Sequence, residues 1–283
     1  KPRQFVQFQV DFESGTAAGS QLRYLELTTS PPAAAELVGE IEPWQVETAQ
    51  LTQFTYAIRP TFGLDDTGFD RLEISVDGGR LASIDAVRIG GADVAFTQVE
   101  TEDNRLVVEM PNVDVNRTEE LVEVAFSGEI FRFGATFAGR VSNSETPQDI
   151  PQPVRPGDAS ALLDGNTLSI QSLSLDSQIL GTLDLGPGIF TPNADGINDG
   201  LDISYDLLKL ASPSPVVVEV LDLAGRLVRE VYNGSDTAGR HVRRWDGLDG
   251  SEQRVRPGLY ICRVESDTEE GRKTKSGVIS VVY

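Results

Sequence analysis

Hydrophobic and polar residues alternate along most of this chain with a period of two. In FVQFQVDF at 5–12, Val6, Phe8, Val10 and Phe12 fall on one face and Gln7, Gln9 and Asp11 on the other, the signature of a half-buried strand. After the turn-rich ESGTAAGS comes QLRYLELTT, so residues 1–30 are expected to form a β-hairpin. A lone hairpin is marginal in water. This one must complete a sheet of the next domain, of missing upstream sequence or of another molecule.

Prolines at 31, 32 and 43 and the acids around Glu40 and Glu42 interrupt the pattern, so 31–45 reads as a connection of limited flexibility. AAAELVGEIE at 33–42 is the one stretch suited to a helical turn; no long stripe of period 3.6 occurs. From 46 to 186 short strands recur between Gly, Asp and Asn turns, as in DRLEISVD, where Leu72, Ile74 and Val76 alternate with Arg71, Glu73 and Ser75. ETPQDIPQPVRPGDAS at 145–160 holds four prolines and reads as a crossing loop or linker. NTLSIQSLSL and QILGTLDL either close this central sandwich or bridge to the last one.

Gly-Pro-Gly at 186–188 marks a boundary, and 187–283 carries a further run of strands with tight turns at Ala224-Gly225, WDGLDG and Pro257-Gly258. The fold class expected is all-β: tandem antiparallel β-sandwiches, the last of about immunoglobulin size, with an N-terminal β-hairpin.

Charge is uneven along the chain. Of a net −20, residues 1–209 hold 13 Lys+Arg against 33 Asp+Glu, whereas 210–283 hold 11 against 11. Such a field repels phosphate backbones and anionic lipid, and no basic stripe interleaved with aromatics offsets it, so nucleic acid is not an expected partner. No apolar run approaches the ~18 residues of a membrane span. The chain starts at Lys1-Pro2 without Met or a signal sequence, as a processed product or fragment would.

Catalytic groups are scarce. His241 is the only histidine and Cys262 the only cysteine. In LYICRV the alternation points Cys262 into a core, and any Ser–His–Asp or Cys–His pair would need His241, which sits among Arg240, Arg243 and Arg244. A zinc site of several histidines or thiolates is excluded. A glycosidase carboxylate pair is defined in space, and no acid stands out in the sequence.

The stretch IFTPNADGINDGLD, 189–202, concentrates candidate chemistry. With Thr191 as position one, Asn193, Asp195, the Ile197 carbonyl, Asp199 and Asp202 fall on positions three, five, seven, nine and twelve of a calcium loop, with Gly196 at six. Thr191 in place of Asp, and Asp202 in place of a bidentate Glu, depart from the pattern. The competing reading has Asn193 and Asp195 closing Asx-turns on their own backbone with no metal. Asp65, Asp66 and Asp70 offer a second such cluster, and Trp245-Asp246-Gly247 reads as a hairpin turn with Trp245 covering the sandwich edge.

Ile189–Asp202, LDLAGRLVREVYNG, RRWDGLDGSEQRVRPGLYICRVES and KTKSGVISVVY together resemble the C-terminal Ig-like domain of bacterial surface and secreted proteins. That domain is related to the Ig-like domain of the flagellar hook-capping protein and to type IX secretion sorting tails. Ala194 replaces the usual second glycine, and Glu252-Gln253 a usual glycine. The likeness covers about the last third of the chain; FVQFQVDF with LRYLELTTSPP is similar, over a short span, to the last strands of galactose-binding-type jelly rolls. The resemblance implies an appended domain that serves export, anchoring or attachment at the cell surface.

The function expected is therefore a non-enzymatic extracellular structural or adhesive protein, able to assemble into a filament or surface layer, whose partners are other copies of itself or cell-surface components. The alternative is an accessory carbohydrate-binding region of a secreted polysaccharide-degrading enzyme, for which glycans are the partner and exposed Trp or Tyr the requirement. Trp44 and Trp245 both sit at strand boundaries, where core packing is expected. A hydrolase using carboxylates ranks third.

Overall fold

The computed structural model describes residues 8–11, 21–26, 31–173, 178–186, 189–193, 195–268 and 271–283. Among them the regular structure is strand, apart from one 3-10 turn at Val115–Arg117. The molecule is a tandem of two antiparallel β-sandwiches. The first comprises β1 (Glu36–Glu42), β2 (Gln45–Val46), β3 (Thr52–Thr61), β4 (Phe69–Val76), β5 (Gly79–Ile89), β6 (Ala92–Asp93), β7 (Thr97–Glu102), β8 (Arg105–Val113), β9 (Val122–Ile130), β10 (Gly134–Ser142), β11 (Gln152–Pro153), β12 (Arg155–Pro156) and β13 (Ser169–Ser172). The second comprises β14 (Leu180–Gly186), β15 (Ile189–Phe190), β16 (Leu201–Leu207), β17 (Ser214–Asp222), β18 (Leu227–Asp236), β19 (Gly239–Trp245), β20 (Gly258–Thr268) and β21 (Gly271–Val281).

In the first sandwich the sheet β12-β1-β3-β9-β5-β6 faces the sheet β2-β13-β10-β4-β8-β7. Alternation decides which side chains lie between them: Leu72, Ile74 and Val76 of β4 are buried, while Arg71, Glu73 and Ser75 remain partly accessible. Phe137 of β10 packs at 5.1 Å from Phe54 and 5.7 Å from Phe126, which stand side by side on β3 and β9 at 5.6 Å. These rings join the two sheets. Gly139 on β10 leaves room for the buried Tyr56 ring; a Cβ there would collide with its hydroxyl.

The proline-rich segment crosses between sheets as expected. β11 pairs antiparallel with β10, and two residues later β12 pairs in parallel with β1, so the chain passes from one sheet to the other at Val154, which is buried.

Two segments differ from expectation. The connection expected over 31–45, with its helical turn, contains β1, paired residue by residue with β3 from Glu36↔Thr61 to Glu42↔Thr55. It is covered on both faces, so no alternation shows in the sequence. The last strand expected in the central unit, β14, pairs instead with β16, so the second sandwich starts before Leu180 rather than at 187. β13 stays with the first sandwich through β10 and β2. Of the expected hairpin, residues 8–11 and 21–26 carry no strand assignment and are exposed; the rest lies outside the described residues.

Glu40 explains part of the hidden pattern in β1. Its side chain is fully buried, with one oxygen accepting the Ala159 (3.0 Å) and Ser160 (2.6 Å) amides and the other without a partner. Burial raises its carboxyl above the usual carboxylate range, against the pull of the two amides. A raised folded pKa means that the native state holds the proton more tightly. The stability from this group is thus fully present below the unfolded value and is lost as pH rises towards the folded one. Glu40→Gln keeps the amide acceptor and removes the titration, so its melting temperature should change less than that of the parent between about pH 5 and pH 8. Glu40→Ala strands two buried N–H groups and should cost about 2–4 kcal/mol at either pH, measured by thermal or denaturant unfolding.

Candidate functional site: the opening loop of the second sandwich and the joint behind it

In the second sandwich, β14-β16-β19 faces β15-β21-β20-β17-β18. Trp245, at the end of β19, is 1% exposed, lies 5.2 Å from Phe190 and 5.9 Å from Tyr260, and donates its indole N–H to the Leu248 carbonyl at 2.9 Å. As expected of a hairpin turn, Asp246 accepts the Leu248 amide (3.0 Å), and Asp249 accepts those of Ser251 (2.8 Å) and Gln253 (3.0 Å).

The stretch 189–202 and the WDG turn, more than forty residues apart, are one piece of structure. Gly247 has φ +78°, and a Cβ there would sit 2.6 Å from Pro192 and 3.1 Å from Phe190. Arg254 Nη2 donates to the Asn193 carbonyl at 3.1 Å, and Arg244 faces Asp202 at 3.7 Å across a solvent-exposed gap. Phe190 is fixed on Trp245, Pro192 fills the space that Gly247 leaves, and the loop is clasped to the turn.

Within the loop, Asn193 Oδ1 accepts the Asp195 amide (2.9 Å), Asp195 Oδ1 accepts the Ile197 amide (2.8 Å), and Asp199 Oδ2 accepts the Gly196 amide (2.6 Å). The Thr191 hydroxyl donates to the Ile197 carbonyl at 2.9 Å, and the Asn193 side-chain amide donates to Asp195 Oδ2 at 2.9 Å. All five residues proposed as ligands are therefore near one another in the chain, but their oxygens are directed to the loop's own donors, and Asp202 to Arg244. Among the described residues, no group of three or more Asp, Glu, His or Cys side chains is placed to hold a metal ion. In the other acidic cluster, Asp66 accepts the Gly63 amide at 2.6 Å and Asp70 accepts the Ser144 amide at 2.8 Å.

Behind the loop lies a buried polar cluster. Asp236, 7% exposed, accepts the hydroxyls of Tyr205 (2.6 Å) and Tyr232 (2.9 Å) and the Arg243 guanidinium (2.7 Å), with Arg243 lying 3.7 Å over the Tyr232 ring. Burial works against this carboxylate, but its donors and the neighbouring His241 and Arg243 outweigh it and hold Asp236 below the usual range. His241 has one ring nitrogen on the Thr237 carbonyl at 2.8 Å and the other 3.9 Å from Asp236. Cys262 is fully buried, and burial pushes its thiol up to about 12, the opposite of an activated nucleophile.

Sequence reasoning missed the contact between the sandwiches. Phe131 follows β9 of the first sandwich yet is buried in the apolar core of the second, with Leu180, Leu207 and Leu208 among its members; the Lys209 amide donates to its carbonyl at 2.7 Å. Arg240 on β19 grips Asp206 through two bonds (2.8 and 3.1 Å), donates to Glu129 of β9 at 3.1 Å, and lies 5.8 Å from the Phe131 ring centre. Asp206 is 1% exposed. The only hint in the sequence is the stretch IFRF, whose two aromatics have opposite fates: Phe131 is buried, while Phe133 is exposed beside Lys209. Trp44 also departs from expectation: it is 41% exposed rather than packed in a core.

Arg240→Ala removes the counter-charge of two buried acids and should destabilise the protein by about 3–5 kcal/mol. It should also loosen the joint, seen as a rise in protease cleavage between the two sandwiches. Gly247→Ala forces a left-handed backbone on alanine and a clash with Pro192. A loss of about 2 kcal/mol or more in the second sandwich is expected, read by hydrogen exchange of β19–β21 amides.

Residues 203–270 match the FlgD Ig-like domain, a span from within β16 through the end of β20. No curated protein matches the chain. In three dimensions the chain is similar to dimeric latent PorU from Porphyromonas gingivalis (14% identity, TM-score 0.32), over 89% of this chain and 20% of that one, so it spans about a fifth of PorU. The 35 kDa C-terminal fragment of the major pilin GBS80 of Streptococcus agalactiae is similar at 10% identity and TM-score 0.31, over 87% and 91% of the two chains. The purple acid phosphatase PPD1 from yellow lupin, Lupinus luteus, is similar at 10% identity and TM-score 0.36, over 86% and 40%. At these scores the likenesses do not bear on activity. The sequence match covers most of the second sandwich, which is thus similar to the Ig-like domain of FlgD.

Proposed function

We propose that the chain is a non-enzymatic structural or adhesive protein of the bacterial exterior that assembles with copies of itself, its Ig-like domain serving anchoring or sorting. The observation that carries this reading is the state of the N-terminal segment: Phe8 and Val10, on the apolar face of an amphipathic stretch, are 50% and 46% exposed, and Leu22, Tyr24 and Leu25 are exposed as well. A strand pattern with its apolar face in solvent calls for a partner surface. The buried joint at Phe131 and Arg240 supports it, because it lets a load applied at one end reach the other. The non-enzymatic part is supported by the inward-facing Cys262 and by the backbone and carboxylate contacts around His241. The recess lined by Lys209, Leu210, Pro213, Asp267 and Thr268, about 330 Å³, contains a single acid. No helix among the described residues is long and apolar enough to cross a membrane.

Deleting residues 1–28 should abolish concentration-dependent assembly of the full chain in sedimentation and electron microscopy; normal polymers from the truncated protein would end this reading. One observation favours the carbohydrate-binding alternative, the exposure of Trp44. Binding on a glycan array that Trp44→Ala abolishes would establish it.

In this proposal the loop Thr191–Asp202 holds its shape through its Asx-turns, and calcium would have to draw Asn193, Asp195, the Ile197 carbonyl, Asp199 and Asp202 away from their present donors. Chelator should leave the melting temperature of the second sandwich unchanged to within about 1 °C. A fall of several times that, restored by calcium and not magnesium, would assign a calcium ion to the loop.

A further inference from the structure

We infer that the acceptor for the N-terminal segment is the outer edge of β21 in a second copy of this chain, where residues 5–12 add as a strand. The inference rests on the self-assembly proposed above, taken as copies joined head to tail, and names the surface that reading lacks. Among the described residues, β21 has a strand neighbour on its outer side only at Ser280 and Val281, where β15 pairs in parallel. Gly271–Ile279, nine residues, have none. FVQFQVDF is eight residues long, and residues 8–11 within it carry no strand assignment, so the two lengths correspond.

Backbone direction is fixed by one bond. The Val282 amide donates outward to the Phe190 carbonyl at 3.0 Å, so residues of the same parity, Val278, Ser276 and Thr274, aim their N–H groups at the vacant side. The flank beside that edge is apolar: Leu183 and Leu185 of β14 are partly buried there, with Leu185 packed over Gly277 in the space a side chain would fill. An incoming strand can lay Phe8 and Val10 over this flank and leave Gln7, Gln9 and Asp11 in water. The acceptor edge is basic, with Lys273 between Arg272, which pairs with Glu265 at 3.1 Å, and Lys275, which donates to the Gly181 carbonyl; the donor ends in Asp11 and Glu13.

Other long edges are less suited: β14 carries Asp184 and a register shift between Leu180 and Leu183, and on β5 the Leu81 and Ile84 amides are taken by the Asp103 carbonyl (2.6 Å) and the Gln98 side chain (2.9 Å). The turn after the WDG motif covers β18, with the Gly250 amide on the Val228 carbonyl (2.9 Å) and Arg229 on the Asp249 carbonyl (2.9 Å). β7 carries Glu100 and Glu102 and a register shift at Gln98/Glu100. On β19, Arg240 is held by Glu129 of the first sandwich.

The test uses two full-length variants. Ser276→Pro removes an outward N–H while leaving the ladder to β20 intact; Phe8→Glu/Val10→Glu spoils the donor. Each alone should need at least ~10-fold more protein than the parent to assemble, and mixing the two should give a 1:1 heterodimer by sedimentation, since one supplies a sound donor and the other a sound acceptor. Should Ser276→Pro melt well below the parent, Lys273→Glu/Lys275→Glu replaces it as the acceptor variant. If the acceptor variant polymerises like the parent, or the mixture yields no heterodimer, the β21 edge is not the acceptor although the head-to-tail reading stands. A parent protein that stays monomeric at every concentration overturns both.

Discussion

Phe131 leaves one core to complete another. It follows directly on β9, whose Phe126 belongs to the aromatic centre of the first sandwich, yet its own ring is buried in the second. Burying such a ring is worth about 2–3 kcal/mol in transfer from water, and cutting it away would cost more because of the cavity left behind. Around it, Arg240 holds Asp206 and Glu129, two acids that could not share a buried site without it. The relative placement of the two sandwiches thus rests on apolar insertion, with the ion cluster fixing orientation rather than supplying most of the energy.

The same logic operates at the other end of the second sandwich. Phe190 against Trp245, Pro192 in the space above Gly247, and Arg254 on the Asn193 carbonyl turn two separated motifs into a single corner. Of the acids concentrated in 189–202, Asp195 and Asp199 cap amides that the tight loop would otherwise leave unbonded, while Asp202 faces Arg244. Concentrated acid in a sequence therefore marks a demand for backbone acceptors as readily as it marks a site.

Much of the fold was legible because half-buried strands declare themselves by alternation. Leu72, Ile74 and Val76 go inward, and so does Cys262, as the spacing requires. β1 was not legible, since a strand covered on both faces shows no period, and Glu40 within it reads as a solvated acid until two amides from residues 159 and 160 are seen to bind it. β14 reads as a strand but not as a member of a particular sheet, because pairing is decided by partners distant in sequence. The joint was hidden for the same reason: Arg240 and Glu129 are 111 residues apart, and nothing local in RHVRRW distinguishes the arginine that crosses to the first sandwich from Arg244, which faces solvent. Trp44 shows the converse limit, a large aromatic at a strand boundary that the fold leaves exposed.

The uneven charge of the chain bears on how copies could meet. The first 209 residues carry the whole net charge of −20, while the last 74 are balanced. Side-by-side contact of first sandwiches brings like charge together over a broad face, at a cost that salt screens only beyond about 8–10 Å. The second sandwich, residues 180–283, holds 12 Lys+Arg against 16 Asp+Glu and carries a smaller penalty. Repulsion of this kind does not create an end-to-end contact, but it removes the lateral ones that would compete with it. In the assembly proposed above, the excess acid of the first sandwich would therefore disfavour lateral contact between copies.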